Sequence, residues 1–142
     1  MMRICDLMYK GVFCCYPDDS AREVAKIMAT NRIRSVVVTD WSGEVWGLVH
    51  IMDLLRHYGK DFDQIQAEDI MRPYEIEVDA LWPIDKAIAL MRKKRYEHLI
   101  IVDPNAGPKR PVAILTSFDI VQYMSGINSG KFESLLKMEV EA

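Results

Sequence analysis

The chain has 142 residues, of which 50% are hydrophobic and 27% are charged, a composition typical of a globular domain long enough to bury one substantial core. Its formal net charge of −3 argues against nucleic acid as the principal partner, because binding to phosphate backbones requires a basic excess. No apolar stretch approaches the roughly 20 residues that cross a bilayer, and the opening residues carry charges where a signal peptide is apolar. We therefore expect a cytoplasmic protein with no membrane partner.

The first half of the chain predicts the order strand, helix, strand, strand, helix. These elements are a strand at residues 12–16, a helix over 21–28, strands at 36–39 and 45–49, and a second helix from about Ile51. Ser20 and Glu23 have the spacing of a capping box, which satisfies free backbone donors at the start of the first helix. The adjacent Cys14 and Cys15, with one further cysteine, form no disulfide framework, so we expect reduced and mostly buried thiols.

The second half predicts the same order of elements. They are expected at residues 76–78, 83–95, 98–102, 111–115 and 117–124, and Pro83 suits a first helical turn. The tail could form an amphipathic helix through Phe132, Leu135, Leu136 and Met138. That helix would either cover the core or meet a partner.

The two halves are an imperfect repeat. At an offset of 63 residues, Asp-Leu-Met at 6–8 faces Asp-Ile-Met at 69–71, and the apolar run ending in Asp40 faces the run ending in Asp103. Past a connection three residues longer in the second copy, the offset becomes 66 and Asp53 faces Asp119. We predict a first unit at 1–58, a linker at 59–66, a second unit at 67–125 and a tail at 126–142.

One segment, Ile-Leu-Thr-Ser-Phe-Asp-Ile at residues 114–120, leads from a predicted strand directly into a helix. Thr116 and Asp119 have capping-box spacing, which would explain both by helix stability alone. Both copies nevertheless keep the acid, although His50 replaces the threonine in the first copy, so a further need for the carboxylate is plausible. Ile114 and Thr116 also share a strand face beside a helix N-terminus, which favours anions. An acid that binds hydroxyls beside such a terminus suits a nucleoside with a phosphate.

The halves resemble a tandem pair of CBS (cystathionine-β-synthase) domains over about residues 4–57 and 67–124. The resemblance rests on the Asp-Leu-Met or Asp-Ile-Met opening, the apolar run ending in Asp40 or Asp103, and the closing apolar-apolar-Thr-x-x-Asp-apolar motif. It implies an α/β (α+β) fold of two β-α-β-β-α units packed with pseudo-twofold symmetry. It also implies adenosyl ligands between the units, a homodimer, no required cofactor, and a regulatory role such as energy sensing for an unknown effector protein.

The resemblance also assigns roles to residues. Asp119 would hold the ribose, Thr116 would approach the phosphate, and Ile114 would flank the adenine together with Ile76 or Val78. The positions that match the family's phosphate-binding residues are Arg34 and Ser35. A second, weaker cleft would use Leu48, His50 and Asp53.

A charge difference separates the two clefts. The positions that correspond to Arg34 and Ser35 in the other copy are Glu97 and His98. A unit charge about 6 Å from a phosphate is worth about 3 kcal/mol at an effective dielectric constant near 20, so replacing a cation by an acid decides against binding. We therefore predict one nucleotide site, which would accept AMP, ADP, ATP or S-adenosylmethionine.

Other classes of function remain open at this point. His50, Asp53 and His57 would share one face of a continuous helix and could hold zinc or nickel. A dimerisation module with empty clefts is a further alternative. We do not expect an enzyme, because the chain lacks a Gly-rich phosphate loop and HExxH or CxxC spacing, and we interpret His98 as structural.

Overall fold

The computed structural model of the protein describes residues 2–8, 11–103, 105 and 109–126. The first copy contains α1 (Ile4–Leu7), β1 (Cys14–Cys15), α2 (Ala21–Asn31), β2 (Ser35–Thr39), β3 (Val45–His50) and α3 (Ile51–Leu55). The second contains α4 (Ala67–Ile70), β4 (Arg72–Pro73), β5 (Val78–Asp79), α5 (Ile84–Lys94), β6 (His98–Val102), β7 (Pro111–Thr116) and α6 (Ser117–Met124). The α/β class is confirmed, and the predicted tail helix with Phe132 lies outside the described residues.

The long helices begin and end as their local sequence dictates. The hydroxyl of Ser20 accepts a hydrogen bond from the Glu23 amide at 3.1 Å, which caps α2 as predicted. Pro83 is the N-cap residue of α5 and precedes its first turn. Both helices end in an arginine with left-handed backbone, Arg32 at φ 53° and Arg95 at φ 57°. These arginines are equivalent residues of the repeat.

Two sheets carry the helices. The first has the strand order β1-β2-β3-β4 and the second β5-β6-β7, and β2 with β3 and β6 with β7 form the predicted antiparallel hairpins. The unpredicted strand β4 belongs to the second copy but pairs with β3 of the first, where Gly47 faces Pro73. The sheets pack against each other through Val37, Val45, Leu48 and Ile100.

The copies exchange their opening helices. The amide of Ile4 in α1 donates to the carbonyl of Trp82 at 2.9 Å, and the equivalent amide of Ala67 in α4 donates to the carbonyl of Asp19 at 2.8 Å. Ile4 is buried among Val78, Ile84 and Met91, and Ala67 among Val24 and Val36. The hydrophobic cores therefore do not follow the predicted units 1–58 and 67–125, because each opening helix completes the core of the other copy.

The predicted linker is packed against the first core. The amides of Ala21 and Arg22 donate to the carbonyls of Ile65 and Phe62, and the side chains of both linker residues contact the core.

All three cysteines are free, but only Cys15 is fully buried, and Cys14 is exposed. The expectation of mostly buried thiols is therefore wrong for Cys14. None of the helices in the described ranges is long and apolar enough to span a membrane.

Candidate functional site

Two clefts of unequal size open between the copies. The Asp119 cleft has a volume of about 650 Å³. The smaller cleft has only about 90 Å³ and is called the Asp53 cleft here, although its lining contains Arg72, the partner of Asp53, and not Asp53 itself. The Asp119 cleft lies between the start of α6 in the second copy and the starts of β1 and β2 in the first copy. Its lining residues include Val12, Phe13, Arg32, Arg34, Ser35, Glu97, His98, Ile114, Thr116 and Asp119.

The carboxylate of Asp119 lies where β7 turns into α6. It is 8% exposed, and its Oδ2 accepts the amide of Thr116 at 3.0 Å, while the hydroxyl of Thr116 accepts the amide of Asp119 at 3.1 Å. The capping box predicted from Thr-x-x-Asp is thus present in full. It fixes both side chains at the wall of the larger cleft, so structural and binding roles are compatible.

The facing wall comes from the turn between α2 and β2. Arg34 is exposed there and forms no ion pair within the described part of the chain. Arg32, which the sequence reasoning did not include, adds a second guanidinium from the C-cap of α2. Ser35 is 5% exposed, and its hydroxyl is 2.7 Å from Nδ1 of His98. The structure therefore brings Arg34 and Asp119 into one cleft.

The structure does not bring Ile76 and Val78 into this cleft. Both line the Asp53 cleft, and Phe13, the residue equivalent to Ile76, lines the Asp119 cleft instead. The reason is strand order, since the carbonyl of Phe13 accepts the amide of Val37 and places Phe13 beside the start of β2. The first copy therefore supplies both Arg34 and Phe13, the apolar residue that directly precedes β1. Applying the repeat offset to the predicted strand would have identified Phe13.

The Asp53 cleft is occupied by side chains of the protein. Asp53 is 3% exposed, and its oxygens accept hydrogen bonds from Nε of Arg72 at 3.1 and 3.2 Å and from Arg56 at 2.8 Å. The ring of His50 also serves as the helix cap, with Nδ1 accepting the Met52 amide at 3.2 Å. The cap is therefore not lost in the first copy, contrary to the sequence argument, and capping with ion pairing explains why the acid is kept there.

The metal alternative through His50, Asp53 and His57 does not fit this geometry. Helix α3 ends at Leu55, so the continuous face through residue 57 does not exist. Nδ1 of His57 is engaged with the backbone carbonyl of Asp53 at 2.9 Å, while the Asp53 carboxylate is paired with arginines. These three side chains do not form a metal site.

The two remaining histidines lie close to each other at the junction of the copies. Burial, and to a smaller extent the neighbouring His50, lowers the pKa of His98 to about 4. Burial, followed by the charge of Arg72, lowers the pKa of His50. Both rings are therefore neutral at pH 7, and the contact of His98 with Ser35 agrees with its interpretation as a structural residue.

The comparisons with known proteins give the family. The CBS domain model matches residues 4–60 and 67–126. Protein MK0525 of Methanopyrus kandleri is 33% identical over 109 residues, which are 75% of this chain and 54% of that protein, so the chain spans about half the length of this curated relative.

Two solved structures share the fold. The CBS domain pair of protein MJ0100, in complex with 5′-methylthioadenosine and S-adenosyl-L-methionine, matches with a TM-score of 0.79 at 24% identity, covering 89% of this chain and 98% of that one. CBSX2 in complex with AMP matches with a TM-score of 0.74 at 19% identity and the same coverage. With two matches to the family model and this fold, the chain belongs to the CBS domain family and carries two CBS domains.

Proposed function

We propose that the protein is a cytoplasmic, non-catalytic regulatory module that binds one adenosyl nucleotide in the Asp119 cleft and signals its occupancy to an effector protein. The observation that carries the proposal is the placement of a buried carboxylate and a hydroxyl on one wall of a 650 Å³ cleft with two guanidinium groups on the other. A cleft of this volume falls within the range of small-molecule sites.

Each wall has chemistry suited to a different part of the ligand. Asp119 accepts hydrogen bonds from the ribose hydroxyls, and Thr116 lies beside it at the start of α6. Arg34 and Arg32 attract the phosphate from the facing copy. Ile114 and Val12 supply apolar surface for the adenine, and Phe13 adds an aromatic face.

The proposal includes only one site per chain. At the Asp53 cleft, Arg72 is paired with the carboxylate that would hold the ribose. Glu97 lines both clefts, but Arg32 and Arg34 line only the larger one. The solved CBS domain pairs of MJ0100 and CBSX2 hold adenosyl compounds, which supports the ligand class.

Ligand binding would change how the two copies pack against each other, and an effector protein would sense this change. A ligand that contacts Arg34 of one copy and Asp119 of the other favours arrangements in which these walls are close.

We also propose a homodimer through α3 and α6, because both helices expose large apolar side chains. These are Ile51, Met52, Leu55, Phe118, Val121 and Met124.

Calorimetric titration with adenosine, AMP, ADP, ATP and S-adenosylmethionine tests the proposal. We expect one site per chain and tighter binding of AMP than of adenosine. A ligand concentration of 100 times the dissociation constant should raise the free energy of unfolding by about 2.7 kcal/mol. Asp119→Asn should weaken all adenosyl ligands, whereas Arg34→Glu should remove the preference for AMP over adenosine.

The matched control is Asp53→Asn, the same change at the equivalent position of the other copy. It should leave the affinity for AMP unchanged in protein that remains folded. Equal losses from Asp53→Asn and Asp119→Asn, or no binding of any of these compounds at millimolar concentration, would contradict the proposal.

A further inference from the structure

We propose that His50, Glu97 and His98 form a binding site for a divalent transition-metal ion, of the class of Zn²⁺ or Co²⁺, at the junction of the two copies. One ligand atom from each side chain lies within 4.8 Å of the other two, and within the described residues this is the group of potential metal ligands that meets that distance. The proposal does not depend on nucleotide binding.

The nitrogen Nε2 of His50 is the observation that points to a ligand. The side chain of His50 is only 7% exposed, and among the residues that the structure describes Nε2 has no hydrogen-bond partner. The carboxylate of Glu97 lies beside it, with Oε2 at 3.5 Å. Buried polar atoms are nearly always paired, so an orphan aimed at a carboxylate and a second imidazole requires an explanation. A bound cation would take the place of the proton on Nε2.

The other two side chains lie close to the ring of His50. The rings of His50 and His98 meet edge to face, with centroids 5.0 Å apart. Nδ1 of His98 is 2.7 Å from the hydroxyl of Ser35, a contact that fixes the orientation of the ring. Two imidazoles and a carboxylate, with an open position for water, form a ligand set that zinc accepts. The side chain of Glu97 is 67% exposed, so an ion has an entry path.

Binding at Nε2 of His50 has a consequence for the helix cap. Without an ion, Nδ1 accepts the Met52 amide at 3.2 Å, so the ring proton is on Nε2. A metal ion at Nε2 moves that proton to Nδ1, and the bond from Met52 is lost. The cap then depends on the Asp53 carboxylate, which accepts the His50 amide at 2.9 Å. The Met52 amide therefore reports on the ion.

The ion would join the copies directly. His50 ends β3 of the first copy, whereas Glu97 and His98 stand at the start of β6 in the second. Glu97 and His98 also line both clefts. Metal occupancy would therefore tie the two copies together at the wall that the clefts share.

Titration of chelator-treated protein with Zn²⁺ by calorimetry, and with Co²⁺ by visible absorption, tests the site. We expect one ion per chain and a large shift of the Met52 amide resonance on Zn²⁺ binding. His50→Thr introduces the residue found at the equivalent position of the second copy and keeps a capping hydroxyl. Glu97→Gln changes an exposed side chain. Each should weaken Zn²⁺ binding at least tenfold.

The control is His57→Ala, because His57 is the only other histidine of the chain and lies outside the cluster. It should bind Zn²⁺ as the wild type does. Unchanged affinity in both His50→Thr and Glu97→Gln, loss of binding in His57→Ala, or no uptake by the wild type at millimolar Zn²⁺ would each overturn the proposal.

Discussion

Ser35 and His98 occupy equivalent positions of the repeat, 63 residues apart, and are hydrogen-bonded to each other at 2.7 Å. Because a residue and its own symmetry mate can meet only on the axis that relates them, this bond marks the pseudo-twofold axis of the chain. The two clefts lie on either side of it. The residues next to this pair, Arg34 and Glu97, carry opposite charges, so the symmetry is broken where a ligand's charge would be recognised.

The Ser35 bond should contribute measurably to stability. Ser35→Ala leaves the His98 ring without its partner in a largely buried place, and we expect a loss of about 1 kcal/mol. Urea unfolding of Ser35→Ala, His98→Leu and the double variant measures the coupling between the two side chains. Strict additivity of the two single effects would show that the bond contributes nothing.

The Asp53 cluster should stabilise the fold. Asp53→Asn weakens charge-assisted hydrogen bonds from Arg56 and Arg72 to a carboxylate that is almost fully buried. Such bonds contribute about 1.5–3 kcal/mol each, and both arginines can return to water, so we expect a loss toward the lower end of that range, measured by chemical denaturation. The surface pair of Arg22 with Asp63 is the control, since Asp63→Asn removes an exposed ion pair and should change little. Similar effects of both substitutions would contradict the prediction.

Gly47 is required by the close approach of β4. A Cβ atom at this position would lie 2.3 Å from the backbone carbonyl oxygen of Arg72, which cannot move without disturbing the pairing of β3 with β4. We expect Gly47→Ala to cost about 1–3 kcal/mol, as overpacking does in well-packed interiors. Thermal unfolding followed by circular dichroism measures the loss, and an unchanged midpoint would show that β4 is free to shift.

Arg95 offers a route to higher stability. Its left-handed backbone, φ 57°, costs a residue with a Cβ about 1–2 kcal/mol, whereas glycine takes it freely and loses about 0.5–1 kcal/mol in chain entropy. Arg95→Gly should therefore raise the free energy of unfolding by up to about 1 kcal/mol. Lys94→Gly, one residue earlier and still helical, should instead lower it. Equal effects of the two changes would refute the conformational explanation.

Cys15 should resist alkylation in the native protein. Burial, followed by the charges of Asp19 and Cys14, raises the pKa of Cys15 from 9.0 to about 12. Only the thiolate reacts, so at pH 8 this thiol has roughly a thousandth of the thiolate of an ordinary cysteine. Mass spectrometry after iodoacetamide treatment should find Cys15 unmodified in native protein and modified in urea. Rapid native labelling of Cys15 would contradict the burial assigned to it.

The regular elements could be predicted because their periodicity is long enough to read. The limits of α6, Ser117–Met124, and of β6, His98–Val102, agree with the sequence prediction. Helices α1 and α4 have four residues each and strand β4 has two, which is too short for any period to emerge. Their packing on the opposite copy depends on contacts between segments far apart in the chain.

Only part of the candidate site could be predicted from the sequence. Asp119 and Arg34 were placed in one cleft by the resemblance to CBS domain pairs, in which the phosphate-binding residues come from the opposite copy. The apolar wall was assigned to the wrong strand, since residue spacing does not say whether Phe13 or Ile76 crosses to Ile114. The internal pairing of Asp53 with Arg72 could not be predicted either, because it depends on the pairing of β4 with β3.

The position of α1 and α4 bears on how such a chain could arise. A molecule with a single copy would lack the helix that closes its core, so it would have to associate with a second molecule and would unfold on dilution. Joining two copies in one polypeptide removes that dependence on concentration. Cleavage of the present chain between residues 59 and 63 should restore the dependence of folding on concentration, because the two fragments would fold only together.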